Sequence, residues 1–65
     1  MKREILQLLE QSPGVAMSVK EVSRRIDRKQ YRADPSWARP FLRALAEENL
    51  ILQDDNHCYL VPINR

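Results

Sequence analysis

Sixty-five residues, 43% of them hydrophobic, are enough for one domain near the small end of what folds without help. That composition is well above the hydrophobic content of a disordered chain. Cys58 is the single cysteine and His57, beside it, the single histidine. An intrachain disulfide is therefore excluded, and no four-ligand metal site can be assembled within one chain. The core has to be held by packing alone or with help from a partner.

Net charge is only +2, but its distribution is uneven. Between Lys20 and Arg43 there are eight basic residues (Lys20, Arg24, Arg25, Arg28, Lys29, Arg32, Arg39 and Arg43) against three acids, Glu21, Asp27 and Asp34. Outside that stretch three basic residues meet six acidic ones, so a block of +5 sits in a frame of −3. Such asymmetry points to a polyanionic partner. Glu21 lies three and four residues before Arg24 and Arg25, so local ion pairs can lower this charge without erasing it.

The chain opens on MKREILQLLEQ, in which Ile5, Leu6 and Leu9 share one helical face, Leu8 stands at its margin, and Glu4, Gln7 and Gln11 lie opposite. This predicts an amphipathic helix over residues 2–11 rather than a signal peptide. No stretch approaches the roughly 20 apolar residues of a membrane helix, so no membrane partner is expected. With no export signal and a lone thiol, a reducing cytoplasm is the expected compartment. Ser12-Pro13-Gly14 stops the helix, and Val15-Ala16-Met17 allows only a few extended residues.

Ser18-Val19-Lys20-Glu21 fits a capping box, with Met17 and Val22 at the positions of a hydrophobic staple. A second helix is predicted over 19–26, with Val19, Val22 and Ile26 inward and Ser23, Arg24 and Arg25 outward or sideways. Asp27 to Asp34 has no clear periodicity and reads as a connecting loop with room for a helical turn. Asp34-Pro35 has the form of an N-cap with proline at the first helical position, placing a third helix at 35–48. Ala38, Leu42 and Leu45 line one face of it, and Arg39 and Arg43 lie on a flank away from that stripe. Pro40 lacks an amide to bond back to Ser36. Either the helix kinks there, or Pro35–Arg39 is a separate turn and the regular helix starts at Pro40. Trp37 and Phe41 are expected as core anchors rather than base-stacking groups. Asn49, the non-glycine residue best suited to a left-handed cap, ends the helix. A hairpin follows, with strands at 50–53 and 57–61 about the turn Asp54-Asp55-Asn56, and Pro62 ends its ladder.

Helix, short extended piece, helix, loop, helix and hairpin is the element order of a winged helix domain. ILQLLEQSPGVAMSVKEVSRRI resembles the first two helices of winged helix-turn-helix regulators of the small bacterial type, and LRALAEENLIL resembles the end of their third helix running into the wing. The resemblance covers roughly residues 4–62. It implies an α+β, mostly α, three-helix domain with a short C-terminal hairpin wing, and a function in transcription regulation through duplex DNA. Carried over by position, it implies that Ser36, Arg39, Pro40 and Arg43 face the major groove, with Lys20, Arg24, Arg25 and Arg28 near phosphates. Arginine suits both tasks, since its planar fork binds guanine edges or phosphate oxygens. A module this small is expected to dimerise or join a larger complex.

The alternative is a protein-interaction adaptor on the same scaffold, with the basic surface meeting an acidic partner. The longer connection between the second and third helices favours it, as does the acidic hairpin tip, which phosphates would repel. Tyr31 among Arg28, Lys29 and Arg32 is also a place where an RNA base could stack. Catalysis is not expected, because no nucleophile–base pair, phosphate-cradling glycine loop or metal cluster is visible. No cofactor is implied. Cys58 reads as a small hydrophobe and His57 as a solvated strand-end residue.

Overall fold

The computed structural model describes residues 1–63, arranged as four helices and a two-stranded antiparallel sheet. The helices are α1 (Lys2–Glu10), α2 (Val19–Ile26), α3 (Arg28–Ala33) and α4 (Arg39–Glu47), and the strands are β1 (Leu52–Gln53) and β2 (Tyr59–Leu60). The mostly helical α+β class expected from the sequence is what forms, with one helix more than expected.

α1 buries Ile5 and Leu9 and packs on α4, α2 and β2. It ends where Ser12-Pro13-Gly14 turns the chain. Gly14 has φ +81° and donates its amide to the Val61 carbonyl at 2.7 Å. An L side chain would be strained at that φ, and a Cβ there would lie 2.9 Å from Ile63. The extended piece after it is fixed by β2: Met17 and Tyr59 exchange both backbone hydrogen bonds at 2.8 Å. β2 is thus bonded on both sides, to β1 and to Met17.

α2 starts as its sequence requires. Ser18 Oγ accepts the Glu21 amide at 3.1 Å, and Met17 and Val22 are both buried. The reciprocal half of the capping box does not form, because the Glu21 carboxylate turns to Arg24 and Arg25 instead. Ser23 departs from its expected outward or sideways position. It is fully buried, its Oγ accepting the Ala38 amide at 3.2 Å and its carbonyl accepting Trp37 Nε1 at 3.0 Å.

Residues 27–34, expected as a connecting loop with room for a helical turn, carry the six-residue helix α3 between Asp27 and Asp34. Asp27 takes an extended conformation that ends α2, and its carboxylate caps α3 by accepting the Lys29 and Gln30 amides. The third predicted helix, at 35–48, is correspondingly shorter. Asp34 does cap, but it caps a turn: its Oδ1 accepts the Ser36 amide at 3.0 Å and its carbonyl accepts the Trp37 amide at 3.1 Å. α4 begins only at Arg39 and places Pro40 in its first turn, where the missing amide costs nothing. Of the two readings of Pro40, the separate turn is the one that forms.

α4 ends in a Schellman motif. Asn49 has φ +63°, its amide bonds to the Ala46 carbonyl, and the Leu50 amide bonds to the Leu45 carbonyl. The hairpin strands are shorter than the predicted 50–53 and 57–61, since only Leu52↔Leu60 and Gln53↔Tyr59 pair. Asp54 uses up the ladder: its carboxylate accepts the Asn56 and Cys58 amides at 2.9 Å. His57, at φ +63°, is the left-handed residue of a three-residue hairpin loop. The buried apolar core draws on every helix except α3 and closes over Ile51 and Tyr59. Trp37 is buried and meets the half-buried Phe41 edge to face, centroids 5.9 Å apart.

Candidate nucleic-acid interface

The buried stripe of α4 determines where its arginines point. Leu42 and Leu45 are almost wholly inside, so Arg39 and Arg43, one turn apart, lie on the solvent side and are exposed. They line an open cleft of about 680 Å³ together with Val19, Glu47, Gln53 and His57. Val19 comes from the start of α2, and Gln53 and His57 come from the hairpin. Gln53 Nε2 stands 3.3 Å from His57 Nδ1 across the loop, which holds both polar groups beside the same cleft. Arginine forks opposite an amide and an imidazole can donate to phosphate oxygens or to base edges.

The other expected contact residues lie elsewhere. Arg24, Arg25 and Arg28 frame a second recess, beside Leu8 of α1. Arg24 and Arg28 continue into a third with Tyr31 and Arg32. Neither recess shares a residue with the α4 cleft. Lys20 is exposed on the first turn of α2, and Ser36 is half-buried in the turn before α4, its amide held by Asp34. Of the seven, Arg39 and Arg43 line the α4 cleft and Arg24, Arg25 and Arg28 line the recesses of α2 and α3, while Lys20 and Ser36 line none of the three.

Glu21 serves the second surface. Its carboxylate takes Arg24 Nη2 at 2.7 Å and also pairs with Arg25 Nε. The hydrogen bond from Arg25 and the positive charge of both arginines hold its pKa below the usual glutamate range, against a smaller opposing effect of partial burial. Asp27 and Asp34, the other acids of the basic block, are committed to backbone amides. Arg28, Arg32, Arg39 and Arg43 have no ion-pair partner among the described residues.

Gln53 and His57 did not stand out as interface candidates in the sequence. His57 carried one signal, since histidine is among the residues enriched at positive φ, but a hairpin with its tip expected at Asp54–Asn56 placed it in a strand. Cys58 is half-buried, its amide given to Asp54. Among the described residues no group of three or more His, Cys, Asp or Glu side chains could hold a metal ion. None of their helices is long and apolar enough to cross a membrane.

No family model, curated protein or solved structure matches the chain.

Proposed function

We propose that this protein is a DNA-binding winged helix module, acting as a transcriptional regulator of the small bacterial type its sequence resembles, with α4 as the groove-reading helix. The observation that carries this reading is the cleft in which Arg39 and Arg43 of α4 stand beside Gln53 and His57 of the hairpin. A rigid helix whose inner face is packed and whose outer face carries free guanidinium groups is the element that enters a major groove. Arg39 opens the helix, where a groove-reading helix makes its base contacts. The hairpin lies against the same cleft, as a wing beside a reading helix would.

Asp54 accepts the loop's own amides but keeps its negative charge, so the hairpin tip still repels phosphate. Asp55 remains exposed at the tip, so the wing guides more than it grips. The basic groups of α4 supply affinity through release of counterions, and binding should fall steeply with salt.

Titration of isotope-labelled protein with a short generic duplex, at low and then moderate salt, tests this by NMR. Salt-sensitive shifts are expected at Arg39, Arg43, Gln53 and His57. The double variant Arg39→Ala, Arg43→Ala should keep the fold and bind at least about tenfold more weakly, with a shallower salt slope by about one per lost phosphate contact. Unchanged binding by that variant, or no shifts on α4 at low salt, would sink the reading.

A further inference from the structure

The α2–α3 arginines form a surface of a different kind from the α4 cleft. Arg24 and Arg28 belong to both of its recesses, about 510 Å³ beside Leu8 and about 330 Å³ beside Tyr31, so the two adjoin. Leu8 and Tyr31 are each half-buried, packed on the core from within and open to the recess without. Around them stand Arg24, Arg25, Arg28 and Arg32, and one carboxylate, Glu21, is paired with this group, which leaves it at +3. Arg28 and Arg32, four apart on α3, share one flank of that helix and both line the recess beside Tyr31.

We propose that this surface docks an acidic segment of a partner protein in which carboxylates alternate with apolar side chains. Charge complementarity selects the sign of the partner, and the apolar floor selects its class. Carboxylates take the arginine forks bidentately, while leucine- or phenylalanine-like side chains cover Leu8 and Tyr31, burying apolar area at the centre of a charged rim. A duplex backbone offers the charge but nothing to place on that floor. This site does not depend on what α4 binds, since no residue is shared between them.

The probe is a short synthetic peptide in which Asp and Glu alternate with Leu and Phe, titrated into labelled full-length protein, with polyglutamate and a single-stranded oligonucleotide as comparisons. Shifts are expected at Leu8, Arg24, Arg28, Tyr31 and Arg32. The double variant Arg28→Gln, Arg32→Gln removes the charges while keeping two of the three methylenes of each stem and much of the helix propensity, and should weaken the peptide about tenfold or more. Arg39→Ala with Arg43→Ala should leave peptide binding unchanged. Equal binding of polyglutamate would reduce the surface to a diffuse positive field and overturn the proposal. Tighter binding of the oligonucleotide at Tyr31 would make it a nucleic-acid site, and absence of shifts would remove it altogether.

Discussion

The hydroxyl and the carbonyl of Ser23 meet two consecutive residues, the hydroxyl taking the Ala38 amide and the carbonyl taking the Trp37 indole. Both contacts are buried, so one small polar residue on α2 aligns the turn that launches α4. Removing a hydroxyl that satisfies a buried amide exposes the cost of that unpaired group, about 1–3 kcal/mol. Ser23→Ala is therefore expected to lower unfolding free energy by that amount in urea denaturation, and to broaden the amide resonances of Trp37 and Ala38. A cost near zero would mean that the Ala38 amide finds another acceptor. Ser23 was expected to face outward or sideways because helical spacing placed Val22 and Ile26 inside and left a polar residue beside two arginines. Its buried partners come from a segment fourteen and fifteen positions later, which spacing within one helix cannot reveal.

At the level of elements, the ends were legible where a side chain caps its own neighbours. Ser18 capping α2 and Asn49 turning off α4 follow from local chemistry, and both occur as the sequence implied. Asn49 is still strained relative to glycine, which adopts φ +63° without a Cβ to accommodate. Asn49→Gly is expected to stabilise the domain by up to about 1 kcal/mol and to raise its melting temperature, read by circular dichroism. Asn49→Val should do the reverse, because a β-branched residue is disfavoured at positive φ. α3 was missed for the opposite reason. Six residues have too few apolar positions for periodicity to show, and a helix that short is marginal alone. Asp27 caps it, and Tyr31 anchors it on the core from one side. Asp34-Pro35 misled as a helix start because Asp followed by Pro also suits a turn.

For the whole molecule, stability rests on a core of ten apolar side chains among the described residues, contributed by α1, the extended piece at Met17, α2, the turn before α4, α4, Ile51 and Tyr59. A chain of this size is expected to hold roughly 3–10 kcal/mol in all. Leu42 is fully buried at the centre of that core, and a Leu→Ala change at such a site costs about 2–5 kcal/mol. Leu42→Ala should consequently lose most cooperative unfolding, seen as a broad early transition in urea, and should lose ligand binding at both surfaces together. Loss at one surface only would show that the two are not supported by a common core. The sequence by itself determined the class, the Ser18 and Asn49 caps, the apolar faces of α1 and α4 and the positive middle of the chain, because each depends on neighbours within a turn or two. Only the tertiary structure decided that Ser23 is buried, that Pro40 sits in the first turn of a helix instead of kinking one, and that the arginines of α4 stand apart from those of α2 and α3. Those outcomes depend on which distant segments meet, and residue spacing along the chain carries no information about that meeting.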